Sequence, residues 1–319
     1  MQLPSLIEVE AAAAVIRPWV PPTPQYAWPL LSARVGCEVW VKHENHTAIG
    51  AFKVRGGFYY LHRLRTQPRA VAGLIGATRG NHGQSLALAG REHGVPVSIV
   101  VPHGNSREKN AAMRAFGATL IEHGEDYEAA RLHAFDLAAS RHLEFVPSFH
   151  RDLVCGVATY ALEFLRSAPA LHTVYCAIGM GSGICGLVLV RDALGLETEI
   201  VGVVAQGAPA YAFSFARGKV VSTESAQTLA DGVACRVPDP EAFAIIRGGV
   251  SRILTVSDDE IADAMRACYT DMHQVAEGAG AIALAGLLRE RDRQQGRRAG
   301  VILSGGNIDI DAYQKILAR

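Results

Sequence analysis

The stretch Gly50-Ala51-Phe52-Lys53-Val54-Arg55-Gly56-Gly57 sets one lysine among small, apolar and aromatic residues, with glycine on both sides. Glycine lets the backbone turn sharply and approach a flat ligand, and Phe52 supplies a ring that can lie against one. A lysine withdrawn from water has a depressed pKa, so it can act as a nucleophile and form a Schiff base with a carbonyl compound. The plainer alternative is a helix start carrying an exposed Lys-x-Arg pair. The sequence on either side decides between them.

Before the lysine, a helical stretch from Ser5 to Val15 runs into Pro18, Pro21, Pro22 and Pro24, which force an extended connection, and Val39 to Lys42 alternates like a short strand. From about Ala70 the pattern becomes regular. Strands are predicted at Ala72 to Ala77, Val97 to Val101, Thr119 to Ile121 and Glu144 to Val146, with helices at Asn81 to His93, Ser106 to Phe116 and Glu125 to Arg141 between them. The rhythm continues with a helix over Val154 to Leu165, a strand at Thr173 to Ile178, a helix after Gly183 and a strand at Glu199 to Val204. A less regular middle, around Ala208 to Pro240, separates these from a strand at Ile253 to Val256, helices over Asp258 to Met272 and Ala279 to Arg289, and a last strand at Val301 to Leu303. Continuous apolar strands alternating with helices predict parallel βαβ units. The count fits two α/β lobes better than one sheet, with a boundary near Pro147 to Asp152 where a proline and polar residues interrupt the rhythm.

Composition narrows the function. The 319 residues are 49% hydrophobic and 19% charged, and Lys plus Arg equals Asp plus Glu at 31 each, so no overall field draws nucleic acid or an anionic membrane. A small, locally recognised substrate is expected. The six cysteines are scattered without a Cys-x-x-Cys pair, which indicates neither zinc nor a disulfide framework and reads as buried thiols in a reducing compartment. Glu8 and Glu10 precede the apolar run Ala11 to Ile16 in place of a basic segment, and no apolar run reaches membrane-spanning length. A cytoplasmic location is expected.

Four small-residue stretches stand where a strand runs into a helix or at a loop, which is where open α/β sheets bind ligands. Gly179-Met180-Gly181-Ser182-Gly183 exposes successive backbone N–H groups at a helix start, a cradle for a phosphate. A bulky side chain at Gly181 would be expected to take the space of that phosphate. Gly181, Gly183 and Gly186 match the dinucleotide spacing, yet the next strand ends at Val204-Ala205-Gln206 without an acid for a ribose, so one phosphate fits better. Thr78-Arg79-Gly80-Asn81-His82-Gly83-Gln84 can hold a substrate carboxylate on its N–H groups, with Asn81 bonding a ring oxygen; an ordinary helix cap is the alternative. Ser304-Gly305-Gly306-Asn307 places a hydroxyl that can donate to a ring nitrogen. Thr228-Leu229-Ala230-Asp231-Gly232 has the look of a loop closing over a pocket. An aldehyde for Lys53, one phosphate, a ring oxygen and a ring nitrogen together describe pyridoxal 5'-phosphate.

On these residues the sequence resembles the serine/threonine dehydratase family of fold-type II pyridoxal-phosphate enzymes, which includes serine racemase-like proteins. Lys42-His43-Glu44-Asn45 and Gly50 to Gly56 are similar to the family's lysine segment, Gly80-Asn81-His82-Gly83 to its substrate turn, Gly179 to Gly183 to its phosphate loop, and Ser304 to Asn307 to the segment meeting the pyridine nitrogen. Glu277-Gly278-Ala279-Gly280-Ala281 resembles a further stretch near the pocket. The resemblance implies the two-lobed α/β fold of the tryptophan synthase β type, with residues 1–55 and 147–319 as the large lobe and 56–146 as the small one. It implies that Lys53 is catalytic and carries the cofactor, that Phe52, Asn81, Gly179, Met180, Gly181, Ser182, Gly183 and Ser304 also bind it, and that Thr78, Arg79, Gly80, Asn81 and His82 meet an amino-acid substrate. The implied reaction removes water from a 3-hydroxy-L-amino acid, by a homodimer. A β-replacement synthase of the cysteine-synthase type, which carries threonine where His82 stands, and a non-catalytic pyridoxal-phosphate carrier are the alternatives.

Four departures matter. The family's phosphate loop is commonly four consecutive glycines, and Met180 and Ser182 interrupt it here. The residue before Gly-Asn-His is usually serine and in racemases the second base; here it is Arg79, which stays protonated and cannot take a proton, so racemisation is not expected. Its charge can pair with the α-carboxylate or with a second one on the side chain, or turn to solvent. Val204 and Ala210 stand where some members carry two carboxylates for a divalent cation, so no metal site is expected. With the sequence read to Arg319, the regulatory domain of biosynthetic threonine dehydratases, and end-product control with it, is not expected.

Overall fold

A computed structural model of the chain describes residues 2–68 and 71–318; Ala70, where the regular alternation is expected to begin, and Arg319 lie outside them. Ten strands are found among the described residues: β1 (Gln25–Ala27), β2 (Glu38–His43), β3 (Leu74–Ala77), β4 (Val97–Val101), β5 (Thr119–Glu122), β6 (Glu144–Phe145), β7 (Thr173–Ala177), β8 (Glu199–Ala205), β9 (Arg252–Val256) and β10 (Arg298–Leu303). They make a six-stranded sheet in the order β1-β2-β10-β7-β8-β9 and a four-stranded sheet in the order β5-β4-β3-β6. Every neighbouring pair is parallel except β1 with β2. Helices cover the faces, which is why β3 is buried throughout and β8 nearly so.

The pattern predicted from the sequence holds, with additions. β1 follows directly on the proline stretch Pro18 to Pro24, read as a plain extended connection, and pairs Gln25 with Lys42. The helices Pro29–Val35 and Ile310–Leu317 were not expected either, and the irregular middle contains the helix Ala210–Arg217. Each is ten residues or shorter, too short for a periodic pattern to declare itself.

One hydrophobic core runs through both sheets, from Leu74, Ile99 and Met113 by way of Phe58 and Tyr160 to Ile178, Ile184 and Ile200. The helix Lys53–Arg65 lies in the middle of it, so the division expected between residues 55 and 56 falls inside a continuous helix. Glycines allow this helix to sit close to its neighbours. A Cβ on Gly57 would stand 2.2 Å from Ser85 Oγ, and one on Gly156 would stand 2.4 Å from the Arg55 carbonyl. All six cysteines are buried and unbridged. No helix of the described residues is long and apolar enough to cross a membrane.

Candidate active site

Lys53 opens its helix, and its backbone is stitched to the far end of the chain. Ala51 forms a bridge with Gly305, Phe52 N–H donates to the Ser304 carbonyl and Gly306 N–H to the Gly50 carbonyl. The turn after β3 is joined to the same place, because Asn307 Nδ2 donates to Asn81 Oδ1 at 2.8 Å and Asn81 Nδ2 donates to Glu277 Oε1 at 2.5 Å. Segments more than two hundred residues apart thereby line one cavity, which contains Lys53, Phe52, Thr78 to His82, Gly179 to Gly183 and Ser304.

Lys53 Nζ donates to Ser182 Oγ at 2.9 Å and lies 5.0 Å from the centre of the Phe52 ring. It has no carboxylate partner among the described residues, and burial lowers its pKa to about 8. Phe52 stands edge-on to Tyr160 and borders Gly183. Ser182, which interrupts the glycine loop, is thus the amine's hydrogen-bond acceptor, a role its sequence position did not announce.

The loop Gly179 to Gly183 leads into the helix Ser182–Ala193, whose first turn presents unpaired N–H groups and the positive end of the helix dipole. Gly179 faces the stretch Thr228 to Gly232, for a Cβ there would stand 2.6 Å from the Gly232 carbonyl. Gly181 has φ +101° and its missing Cβ points at Ala242, 2.8 Å away. The expectation that a side chain here would take the space of a phosphate is therefore corrected: the backbone angle and packing on Ala242 demand the glycine.

At the β3 turn, Thr78 Oγ1 accepts from Gly80 N–H at 2.8 Å, and the helix Asn81–His93 begins with its first-turn N–H groups unpaired within the helix. His82 is buried and neutral, its pKa pushed down to about 3 by burial and the nearby Lys53 charge, and its Nε2 has no partner among the described residues. Arg79 lines the cavity without a hydrogen bond or ion pair among the described residues. Ser304 Oγ donates to the Ala279 carbonyl at 3.0 Å, so donating to a ring nitrogen requires its single proton to turn from that carbonyl.

The residue missed by sequence reasoning is Lys109. Its Nζ donates to both Asp231 oxygens, at 3.0 and 2.8 Å, and to Glu277 Oε2 at 2.8 Å. Burial alone would lower this amine, but Glu277 and Asp231 outweigh it and hold it above its ordinary value. Burial in turn pushes Glu277 up, against the pull of Lys109. A lysine inside an amphipathic helix gives no signal of this. Tyr127 and Ser148, bonded to each other at 2.8 Å, also line the cavity and carry no sequence signal. Val204 and Ala210 are buried apolar residues, and no group of three or more metal-binding side chains occurs among the described residues.

The donors suit pyridoxal phosphate: a partly neutral amine for an aldehyde, a small-residue loop at a helix start for one phosphate, and a neutral hydroxyl at the far wall. Comparison with known proteins agrees. A family model described as pyridoxal-phosphate dependent enzyme matches residues 16–305. An L-threo-3-hydroxyaspartate ammonia-lyase from Pseudomonas sp. is 34% identical, covering 99% of this chain and 99% of its own. An L-threonine ammonia-lyase from Thermotoga maritima is 31% identical over 91% of this chain and 72% of its own. The structure of maize serine racemase superposes with a TM-score of 0.92 at 27% identity, covering 99% and 98% of the two chains. Fold, cavity and family match agree, and the chain belongs to the pyridoxal-phosphate dependent enzymes.

Proposed function

We propose that the protein removes water from a 3-hydroxy-L-amino acid and releases a 2-oxo acid and ammonia, with Lys53 as the cofactor-binding and proton-moving residue. The observation that carries this reading is the Lys53 amine, held at a pKa of about 8 beside a hydroxyl and without a carboxylate. Near neutral pH such an amine is neutral often enough to take the proton from a substrate α-carbon. Relatives named as ammonia-lyases support it. When bound, pyridoxal phosphate supplies an electron sink for the α-carbon.

The chain's own residues take the remaining parts. The Gly179 to Gly183 loop, with Met180 and Ser182, would hold the phosphate, Phe52 would face the ring and Asn81 the ring oxygen. Thr78, Gly80 and His82 shape the turn whose N–H groups hold the α-carboxylate. Ser304 offers the ring nitrogen a hydroxyl where a carboxylate would favour ring protonation, and so limits how far charge is drawn into the ring. Residues 56–146 act as a small lobe closing on residues 1–55 and 147–319. A cytoplasmic homodimer is the assembly that goes with this reading, and sedimentation at twice the chain mass checks it. Activity is expected to survive chelation of divalent ions, because hard cations need oxygen ligands that Val204 and Ala210 do not offer.

Assay of 2-oxo acid and ammonia from serine, threonine, 3-hydroxyaspartate and 3-phenylserine, in all stereoisomers, tests the reaction. Equal yields of both products from at least one of them are expected. Borohydride reduction with peptide mapping should place the cofactor on Lys53, and a label on another lysine would overturn the assignment.

A further inference from the structure

Arg79 sits in the turn between β3 and the helix Asn81–His93, on the wall shared by the Lys53 cavity and the cleft outside it. The other cations lining these two spaces, apart from Lys53, are paired. Lys109 is bonded to Asp231 and Glu277, which are the only carboxylates lining the Lys53 cavity among the described residues. In the outer cleft Arg131 pairs with Glu128 at 2.6 Å and Arg236 with Asp126 at 3.4 Å. The Arg79 guanidinium has no such partner among the described residues; Tyr127, Ser148, Met180 and Cys235, which line both spaces with it, are uncharged, and Glu125, Glu224 and Asp239 line the outer cleft alone.

The α-carboxylate does not need it. The first turn of the helix Asn81–His93 offers N–H groups and a favourable dipole for that group, which every amino acid carries. Arg79 is the cation left over, permanently charged and shaped to grip a carboxylate through two parallel hydrogen bonds. We propose that Arg79 is a specificity-determining residue that selects 3-hydroxy amino acids bearing a second carboxylate on the side chain, so that the product is a 2-oxo dicarboxylic acid. This rests on the dehydratase reading above. The cavity supplies the missing reason for a lone guanidinium half-buried beside the reacting centre: its counter-ion arrives with the substrate.

The experiment compares wild type, Arg79→Ser and Arg79→Lys by two readouts. The first is the ratio of kcat/KM for 3-hydroxyaspartate to that for threonine. The second is calorimetric binding of aspartate and of 2-aminobutyrate to the holoenzyme, two ligands of equal length that lack the leaving hydroxyl and differ in the side-chain carboxylate. In Arg79→Ser the kcat/KM ratio is expected to fall about 10- to 100-fold, the range for a charge-assisted hydrogen bond lost from a partly buried site. The preference for aspartate over 2-aminobutyrate should fall with it, and Arg79→Lys should keep part of both. A loss shared equally by all four compounds would assign Arg79 to the α-carboxylate, and no change in any would turn it to solvent; either result overturns the proposal. Absence of 2-oxo acid from every substrate would defeat the dehydratase reading alone, since the two binding ligands still judge Arg79.

Discussion

The Lys53 amine faces a hydroxyl, Ser182 Oγ, where an acid would have kept it charged. Burial lowers its pKa to about 8, so the neutral, attacking form gains as pH rises. Uptake of pyridoxal phosphate by the apoprotein, followed by absorbance, should therefore accelerate with pH and level off above about 8; a rate independent of pH across that point would show the amine is not so perturbed. Gly181 gives a second expectation. With φ +101° and Ala242 in the path of a side chain, Gly181→Ala should cost about 1–3 kcal/mol in urea unfolding. Cofactor retention should weaken with it. Both residues were legible in the sequence because glycine and lysine in small-residue settings have few uses. The reason for Gly181 was not legible, since it depends on Ala242, which the chain reaches sixty-one residues later. Lys109 was invisible for the same reason: two partners from distant loops make it part of the site.

The helix Lys53–Arg65 shows what an element can hide. As a helix start it matched the plain alternative for the lysine stretch, but the exposed Lys-x-Arg pair of that alternative does not exist, because Arg55 is 0% exposed. Arg55 donates to Glu44 and Glu163, and Lys42 to Glu163 and the Thr23 carbonyl. Two cations and two carboxylates thus interlock β2, the lysine helix and the helix Arg151–Ser167, fixing the direction in which Lys53 leaves the backbone. Lys42 and Glu44 were readable only as part of a familiar motif, since no periodicity announces buried charges. Removing one partner strands the others in a low dielectric. Glu44→Gln should accordingly lower unfolding free energy by about 3–5 kcal/mol, read from urea denaturation, and loosen cofactor binding. A change within experimental error would mean that water enters the cluster.

At the scale of the whole molecule the α/β class and the paired sheets followed from strand and helix alternation, since parallel sheets covered on both faces write continuous apolar runs into the sequence. The short β1 and the path of the core across both sheets did not, because they depend on contacts between remote segments. Acid sensitivity belongs to this scale. His43 and His82 are buried and neutral, with pKa values pushed down to about 4 and about 3, chiefly by burial. The unfolded chain takes up these protons near pH ~6.5 and the folded one does not, so their contribution is complete above that value and is lost as pH falls toward about 4 and then about 3. Urea midpoints should decline over that window, and a flat profile from neutral pH to about 4 would contradict it.

Lys109 stands on the helix that follows β4, while Asp231 and Glu277 come from segments that serve the six-stranded sheet. Pulling the two sheets apart would take from Lys109 both its counter-ions, the buried Glu277 and the partly exposed Asp231. The two sheets are therefore expected to melt in one cooperative transition, which calorimetry of the whole chain checks.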